Sequence, residues 1–235
     1  MPNINDNTDK LNSLLATAKN LPIKTSASYD EFWDNFQLNG NRTYYKYGFA
    51  GHGWTQNTFE PKYDIIISTS GSSAFAESKI NIDLASTLEG RNIRLDTSGC
   101  TNAGYLFYLT RFTRLPKIDL TGHSSTLSYV FGYNTYLKTI DELVLKNDGS
   151  QKFSNIFNNS TALENIVITG VIGQNGFDVT SCTKLTVDSL LSIFNALQDK
   201  TGISGTWTVS IGDNNIAKLT DEQLSIASNK NWVVN

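Results

Sequence analysis

The sequence predicts an α/β solenoid, in which short parallel strands stack in successive coils. Three observations predict it: pairs of aliphatic residues recur at a nearly constant interval, further apolar positions recur in step with them, and the composition is polar but ordered. Of 235 residues, 39% are hydrophobic and 17% are charged, with 17 glycines and only 4 prolines. Chains that form disordered linkers are usually richer in glycine and proline. The polar side chains are therefore expected to belong to a folded domain.

The strand signal comes from four aliphatic pairs with the two-residue alternation of half-buried strands. The pairs are spaced by 25, 25 and 23 residues and comprise Ile93 and Leu95, Ile118 and Leu120, Leu143 and Leu145, and Ile166 and Ile168. Two further registers keep step with the pairs. One consists of Phe112, Leu137, Leu163 and Leu185, and the other, six residues earlier in each case, of Leu106, Phe131, Phe157 and Val179.

A period of 22 to 26 residues is too short for a helix-pair repeat or a propeller blade, but it suits a coil with one strand and one compact return segment. It predicts a right-handed leucine-rich-repeat superhelix with a short parallel sheet. We assign residues 1–45 to an N-terminal helical segment, residues 46–185 to the solenoid and residues 186–235 to a C-terminal α/β cap.

The C-terminal cap is predicted to run helix, strand, helix and strand. Apolar residues on one helical face follow Thr186, which is placed to cap the first helix. Residues 206–211 form a strand pattern, and Thr220 with Gln223 makes a capping box for the second helix. Residues 232–234 close the chain as a strand. Such a cap would shield the last coil from water.

Near the N-terminus, apolar residues between positions 4 and 21 repeat every seven residues, as Ile4, Leu11 and Ala18 do. Two interpretations remain open: a short coiled coil, which would make the chain a homo-oligomer through residues 4–21, or a helix docked on its own solenoid. Residues 22–28 read as a hinge. Charges scattered through the first 22 residues argue against a signal peptide, so we expect cytoplasmic synthesis, with virion association as one destination.

Parts of the repeats resemble a known family. Phe131 to Ile140, Phe157 to Ile166 and Cys182 to Leu185 resemble the Phe-x-x-Cys-x-x-Leu-x-x-Ile core of BspA-like leucine-rich repeats, with Asn134 and Ser160 at the cysteine position. The likeness extends from about residue 30 to the end and is greatest to members encoded in prophages of gut Firmicutes. The resemblance implies a phage protein for cell adhesion or surface recognition through protein binding.

Charge and hydropathy exclude other partners. The 19 Lys and Arg residues are outnumbered by 22 Asp and Glu residues, the formal net charge is -3, and there is no basic run. We therefore expect no nucleic acid partner. The apolar runs are too short for a membrane helix, so we expect no membrane insertion.

No catalytic site is expected. His52 and His123 lack cysteines or carboxylates at metal-ligand spacing, so we predict no metal and no cofactor. Asp119, His123 and Ser124 could be nominated as a triad, but neighbours in sequence rarely converge and no Gly-x-Ser-x-Gly motif is present. Cys100 and Cys182 lie 82 residues apart, and we expect no disulfide between them. We predict that the chain is not an enzyme.

The first candidate binding surface is the exposed face of the repeat sheet. If the aliphatic pairs point inward, the alternate residues point outward in three rows. The rows are Asn92, Lys117, Glu142 and Asn165; Arg94, Asp119, Val144 and Val167; and Asp96, Thr121, Lys146 and Thr169. Such a ribbon of mixed charge and hydroxyl groups suits a protein or glycan ligand, although solvation of the sheet alone would also account for it.

The second candidate surface is aromatic. Five tyrosines lie around the return segments, where they could form a contact surface or fill the core. They are Tyr105, Tyr108, Tyr129, Tyr133 and Tyr136. The leading interpretation is a non-catalytic binding or adhesion module. The alternative is a structural or decoration protein of a virion or tail assembly, oligomerised by the N-terminal helix.

Overall fold

The structure, a computed structural model, describes residues 61, 64–67 and 70–235. The predicted N-terminal helical segment at 1–45, its heptad seam at 4–21 and the first part of the predicted solenoid range lie outside the described residues.

This part of the chain contains nine short strands and four helices. The strands are β1 (Ile65–Ile66), β2 (Leu95–Asp96), β3 (Arg114–Asp119), β4 (Thr126–Ser128), β5 (Thr139–Val144), β6 (Lys152–Ser154), β7 (Asn165–Thr169), β8 (Trp207–Val209) and β9 (Trp232–Val234). The helices are α1 (Leu84–Glu89), α2 (Val187–Ala196), α3 (Asp213–Ile216) and α4 (Asp221–Ser228). None of these helices is long and apolar enough to cross a membrane.

All the strand pairs are parallel, and they form small sheets without a closed barrel in the described residues. The strand orders are β1-β2, β3-β5-β7, β4-β6 and β8-β9. From β3 onward paired residues lie at sequence intervals close to the predicted period, whereas Ile65 of β1 pairs with Leu95 of β2, 30 positions later. Ile118 pairs with Leu143, 25 positions later, and Leu127 pairs with Phe153, 26 positions later. The apolar period is thus the distance along the chain between hydrogen-bonded neighbours.

The observed pairing of β5 with β7 differs from the predicted rows of residues. Leu143 pairs with Ile168, whereas the sequence analysis set it level with Ile166. Ile166 instead pairs with Ile140, and an irregularity between the two pairs absorbs one residue. In consequence Thr169 lies beside Val144, and Asn165 lies beside Thr139 rather than Glu142.

The core is one continuous cluster of buried residues that extends from Ile65 to Trp232. Its spine is a column of phenylalanine rings at Phe75, Phe107, Phe131 and Phe157, with successive centroids 5.0, 5.9 and 5.2 Å apart and nearly parallel planes. Phe107 therefore takes the place that the sequence analysis gave to Leu106. Leu106 is buried beside it, so both positions are apolar and the pattern alone did not separate them.

Six of the eight predicted inward residues are fully buried or nearly so; Ile93 and Leu95 are only partly buried against the core. At the C-terminal end, α2 begins after Thr186, whose hydroxyl accepts a hydrogen bond from the Ser189 N–H. The capping box predicted at Thr220 and Gln223 is present at the start of α4. The short helix α3 is an element that the sequence analysis did not predict.

Helix α2 covers the open edge of the β3-β5-β7 sheet. The Ile166 N–H donates to the Ser189 hydroxyl at 3.0 Å, and the Ile168 N–H donates to the Ser192 hydroxyl at 2.8 Å. These two backbone N–H groups of the edge strand β7, which could otherwise bond to a further strand, are thereby satisfied by serine side chains.

Candidate functional site

Four five-residue segments share an unusual backbone pattern. Each segment begins and ends with a non-glycine residue whose φ lies between 50° and 62°, the left-handed region. We call them the αL segments; they are residues 73–77, 105–109, 129–133 and 155–159. This conformation costs most residues about 1–2 kcal/mol, whereas asparagine tolerates it comparatively well.

Neighbouring αL segments are joined by three backbone hydrogen bonds. Tyr129, Phe131 and Tyr133 donate their N–H groups to the carbonyls of Ser154, Ile156 and Asn158 at 3.0, 2.9 and 2.7 Å. The same pattern links 73–77 to 105–109, and 105–109 to 129–133. Equivalent positions therefore lie side by side in columns. We call three of these columns the surface columns, although Ala76 and Gly132 within them are buried: Ser73, Tyr105, Tyr129 and Asn155; Ala76, Tyr108, Gly132 and Asn158; and Glu77, Leu109, Tyr133 and Asn159.

Four of the five predicted tyrosines meet on these columns. The Tyr105 and Tyr129 rings stack at 5.3 Å, and Tyr108 packs edge-on against Tyr105 at 5.2 Å and against Tyr133 at 5.5 Å. Leu109 stands next to Tyr133 in its column. We call these four tyrosines and Leu109 the tyrosine patch. Tyr105, Leu109 and Tyr133 remain 40%, 44% and 37% exposed.

Gly132 makes room for the rings. A Cβ atom at this position would lie 2.9 Å from Cδ1 of Tyr129 and 3.4 Å from Cδ2 of Tyr108. Its φ is outside the left-handed region, so the backbone itself does not require glycine. The absence of a side chain at Gly132 thus serves the packing of the tyrosine patch.

Tyr136, the fifth predicted tyrosine, stands apart. The Arg111 guanidinium lies over its ring, 5.6 Å from the centroid. Tyr136 is 43% exposed, and among the described residues its ring contacts no other aromatic ring. Tyr136 is therefore a separate cation–π pair beside the patch.

The Tyr108 phenol is neutral at physiological pH. Partial burial raises the pKa of Tyr108, and the neighbouring Tyr133, Tyr105, Tyr129 and Glu77 raise it further. Its O–H is therefore both a donor and an acceptor of hydrogen bonds and carries no charge.

The predicted sheet-face residues largely satisfy one another. Glu142 accepts from the Thr169 hydroxyl at 2.9 Å and pairs with the Lys117 ammonium at 3.2 Å. Arg94 lies 3.9 Å from Asp96, which in turn binds Ser98. Exposed pairs of this kind contribute about 0–1 kcal/mol each.

Among the remaining sheet-face candidates, Asp119 and Asn165 have side-chain partners within the protein, whereas Lys146 is held through its backbone N–H. The Asp119 carboxylate accepts from both the N–H and the hydroxyl of Thr121, in a turn at the end of β3. The Lys146 N–H donates to Gln151 and the Asn165 side chain accepts weakly from Thr186. The Lys146 side chain is partly buried and Asn165 is exposed.

The nominated triad does not assemble. His123 is buried, and its Nδ1 accepts from the Ala103 N–H at 2.9 Å. The Ser124 hydroxyl donates to the Thr101 carbonyl at 3.3 Å, while the Asp119 carboxylate is held by Thr121. Burial lowers the pKa of His123, and the nearby Lys146 charge adds to this. Within the described part of the chain no cluster of three or more metal-ligating side chains is present.

The family-like cysteine position is a buried polar column. The side chain at each of these positions donates to the backbone carbonyl of a phenylalanine in the preceding unit: Asn134 to Phe107, Ser160 to Phe131 and Cys182 to Phe157. Both cysteines are free thiols, as expected. Burial raises the pKa of Cys182 to about 12, which makes it an unreactive thiol.

Sequence reasoning missed several members of the surface columns, above all Leu109, Gly132, Asn155, Asn158 and Asn159. Aligning the repeats on Phe107, Phe131 and Phe157 would have placed them beside the tyrosines. Comparison of the chain with family models, with curated proteins and with solved structures finds no match.

Proposed function

We propose that this chain is a non-catalytic binding module that recognises a surface protein or glycan, built as a leucine-rich-repeat solenoid of the BspA-like kind and encoded by a phage or prophage. The tyrosine patch is the observation that carries the proposal, and it takes precedence over the sheet face as the binding surface.

The solenoid part of the proposal is supported by three sets of contacts that recur at similar intervals. Parallel strand pairs join residues 25 or 26 positions apart in β3-β5 and β4-β6. The phenylalanine column repeats every 24 or 26 residues from Phe107 onward, after a longer step of 32 from Phe75. The column of Asn134, Ser160 and Cys182 repeats after 26 and 22 residues. Stacking of equivalent units is the way in which repeat proteins build a continuous core.

The binding part is supported by a conflict between side chain and backbone. Tyr105, Leu109, Tyr129 and Tyr133 all adopt the left-handed conformation, while the neighbouring segment has Asn155 and Asn159 at the same positions. Asparagine there would relieve backbone strain, so the backbone conformation does not itself favour the tyrosines and the leucine. Strained residues concentrate at functional sites. Tyrosine is also the residue that gives contact surfaces large area at low entropic cost.

The sheet face is the weaker candidate because most of its charged side chains have partners within the protein, as Lys117 and Glu142 do. A ligand that bound there would have to displace these partners. We therefore expect substitutions on the sheet face to leave binding unchanged.

A direct test screens the folded full-length chain against a glycan array and a peptide display library. The double variant Tyr105→Asn, Tyr129→Asn removes two rings of the patch, and the double variant Lys117→Gln, Glu142→Gln removes the sheet-face ion pair. We expect a ligand whose affinity falls at least tenfold in the first variant and stays within twofold in the second. Circular dichroism and cooperative unfolding establish that each variant is folded.

Two outcomes would contradict the proposal. One is the absence of any ligand in both screens for a folded chain. The other is a ligand whose binding is lost in the sheet-face variant and kept in the tyrosine variant.

A further inference from the structure

The tyrosine patch is continued by three asparagines. Asn155, Asn158 and Asn159 follow Tyr129, Gly132 and Tyr133 in the three surface columns. Asn155 and Asn159 are exposed and Asn158 is partly buried. The Asn155 side chain makes one long bond, at 3.4 Å, to Ser154. Among the described residues, the amides of Asn158 and Asn159 make no side-chain hydrogen bond to the protein.

The combined surface is almost uncharged. Of the twelve residues in its three columns, only Glu77 carries a charge, and it stands at the end farthest from the asparagines. A phosphate or a sulfate would find no cationic side chain among these residues, and a cationic group would find only Glu77, at the end away from the asparagines. Electrostatic complementarity over most of the surface therefore favours a neutral ligand.

The backbone of the patch is not available to a partner strand. Tyr129 and Tyr133 donate to the next segment, and Ser128 and Gly132 accept from the previous one. The two central segments are thus bonded on both sides, which removes the open edge that an added peptide strand requires. Recognition must use side chains alone.

We propose that the tyrosine patch and its asparagine border bind a neutral glycan. The C–H groups of a pyranose ring pack on the exposed parts of Tyr105 and Tyr133, because the facing planes of Tyr105 and Tyr129 are stacked on each other. The sugar hydroxyl groups bond to phenols and to the asparagine amides. An amide offers both donors and an acceptor, which matches a pair of neighbouring hydroxyls. Tyrosine combines an apolar ring with a polar tip. This inference rests on the proposed function, because it names the ligand class of the same site.

The dimensions suit a short oligosaccharide. Adjacent strands in a parallel ladder lie about 4.8 Å apart, so the four rows from Ser73 to Asn155 span roughly 14 Å. An extended surface of this length would contact several sugar rings at once.

The test uses an array of neutral oligosaccharides, terminated by glucose, galactose, mannose or N-acetylglucosamine, together with sialylated, sulfated and phosphorylated ones. Free oligosaccharides and those carried on glycoproteins form separate sets. We expect the full-length chain to bind at least one neutral structure without need of an acidic group. Its affinity should fall at least tenfold in Tyr105→Asn, Tyr129→Asn and in Gly132→Ala, whose methyl group collides with Tyr129.

Two further variants sharpen the result. Asn159→Gly keeps a residue that accepts positive φ but removes the amide, and we expect at least a fivefold loss of affinity. Tyr136→Ala removes an exposed tyrosine outside the patch, and we expect binding within twofold of the unaltered chain.

The inference is overturned if binding is confined to acidic oligosaccharides, or if the patch variants bind neutral ones as well as the unaltered chain does. It is also overturned if no oligosaccharide binds while a displayed peptide binds in a tyrosine-dependent way; in that case the proposed function stands with a peptide ligand. Failure of both the array and the peptide library removes the inference and the proposed function together.

Discussion

The Asn134 side chain accepts a hydrogen bond from the backbone N–H of Thr110. Its Oδ1 accepts from both the N–H and the hydroxyl of Thr110, at 2.7 and 2.9 Å, while its Nδ2 donates to the carbonyls of Phe107 and Phe131. Asn134 is fully buried, so one amide satisfies groups of two neighbouring αL segments in the absence of water.

We therefore expect Asn134→Ala to be strongly destabilising. It leaves the Thr110 N–H and the Phe107 carbonyl without a partner in the core, and each such group costs about 1–3 kcal/mol. Urea unfolding followed by circular dichroism should show a loss of at least about 2 kcal/mol. Asn134→Ser should lose less, because Ser160 makes the equivalent bond to Phe131. Equal stability of Asn134→Ala and the unaltered chain would contradict this account.

The αL backbone gives a second prediction. Asn159 has φ 56° and an exposed side chain. Asn159→Val should destabilise the fold by about 1–2 kcal/mol because a β-branched residue is poorly accommodated there, whereas Asn159→Gly should change stability by less than about 0.5 kcal/mol. Thermal and urea unfolding measure both. If valine and glycine proved equivalent, the left-handed assignment would be wrong.

In the tyrosine patch we expect near-neutral stability on replacement by asparagine. Tyr105→Asn relieves about 1–2 kcal/mol of backbone strain but loses ring contacts worth about 0.5–1.5 kcal/mol per pair. The unfolding free energy should thus remain within about 1 kcal/mol of the unaltered chain. A loss above about 3 kcal/mol would show that Tyr105 is a core residue and not a surface contact.

The two thiols should be silent in the native state. Cys100 and Cys182 are fully buried, and burial raises the pKa of both. With a thiol-reactive disulfide reagent at pH 8, we expect no reaction until denaturant is added, after which both thiols react. Rapid labelling of the native chain would contradict the burial of the core at these positions.

The folded state should lose stability as the pH is lowered, because of the protonation of His123. Burial lowers the pKa of His123 below 6.5 in the folded state, so the unfolded chain binds a proton first as the pH falls. The stabilisation is complete above pH 6.5 and is lost below it, by up to about 1.4 kcal/mol per pH unit until the folded-state pKa is reached. Urea midpoints between pH 7.5 and 5.5 test this.

The control for this titration is His123→Asn, whose Oδ1 can still accept from the Ala103 N–H. The other histidine, His52, is common to both chains, so the difference between their pH slopes reports His123 alone. Identical slopes would refute the assignment.

The parallel pairing and its interval could be read from the sequence because the aliphatic pairs lie where both strand alternation and the period place them. The register of β7 could not, since Ile166 and Ile168 satisfy the alternation equally well two positions apart and only hydrogen bonding reveals the bulge. Similarly, Leu106 and Phe107 are both apolar, and ring stacking decides between them.

The tyrosines were recognisable as candidates, but their convergence was not. It depends on the left-handed φ at Tyr105, Tyr129 and Tyr133, a conformation that residue type disfavours and that only the surrounding ladder imposes. Gly132 gave no local signal either, because its role is to leave space for side chains from two different segments.

Ser189 and Ser192 have a consequence for how the protein can vary in size. They occupy the donors of Ile166 and Ile168, so the sheet cannot grow beyond β7. Duplication of a unit ahead of α2 would meet a matching edge on either side, whereas the same insertion after residue 186 would meet only hydroxyl groups. Relatives with longer or shorter sheets should therefore differ by whole repeat units before α2. The two serines should be retained in the helix that follows the last strand of the sheet.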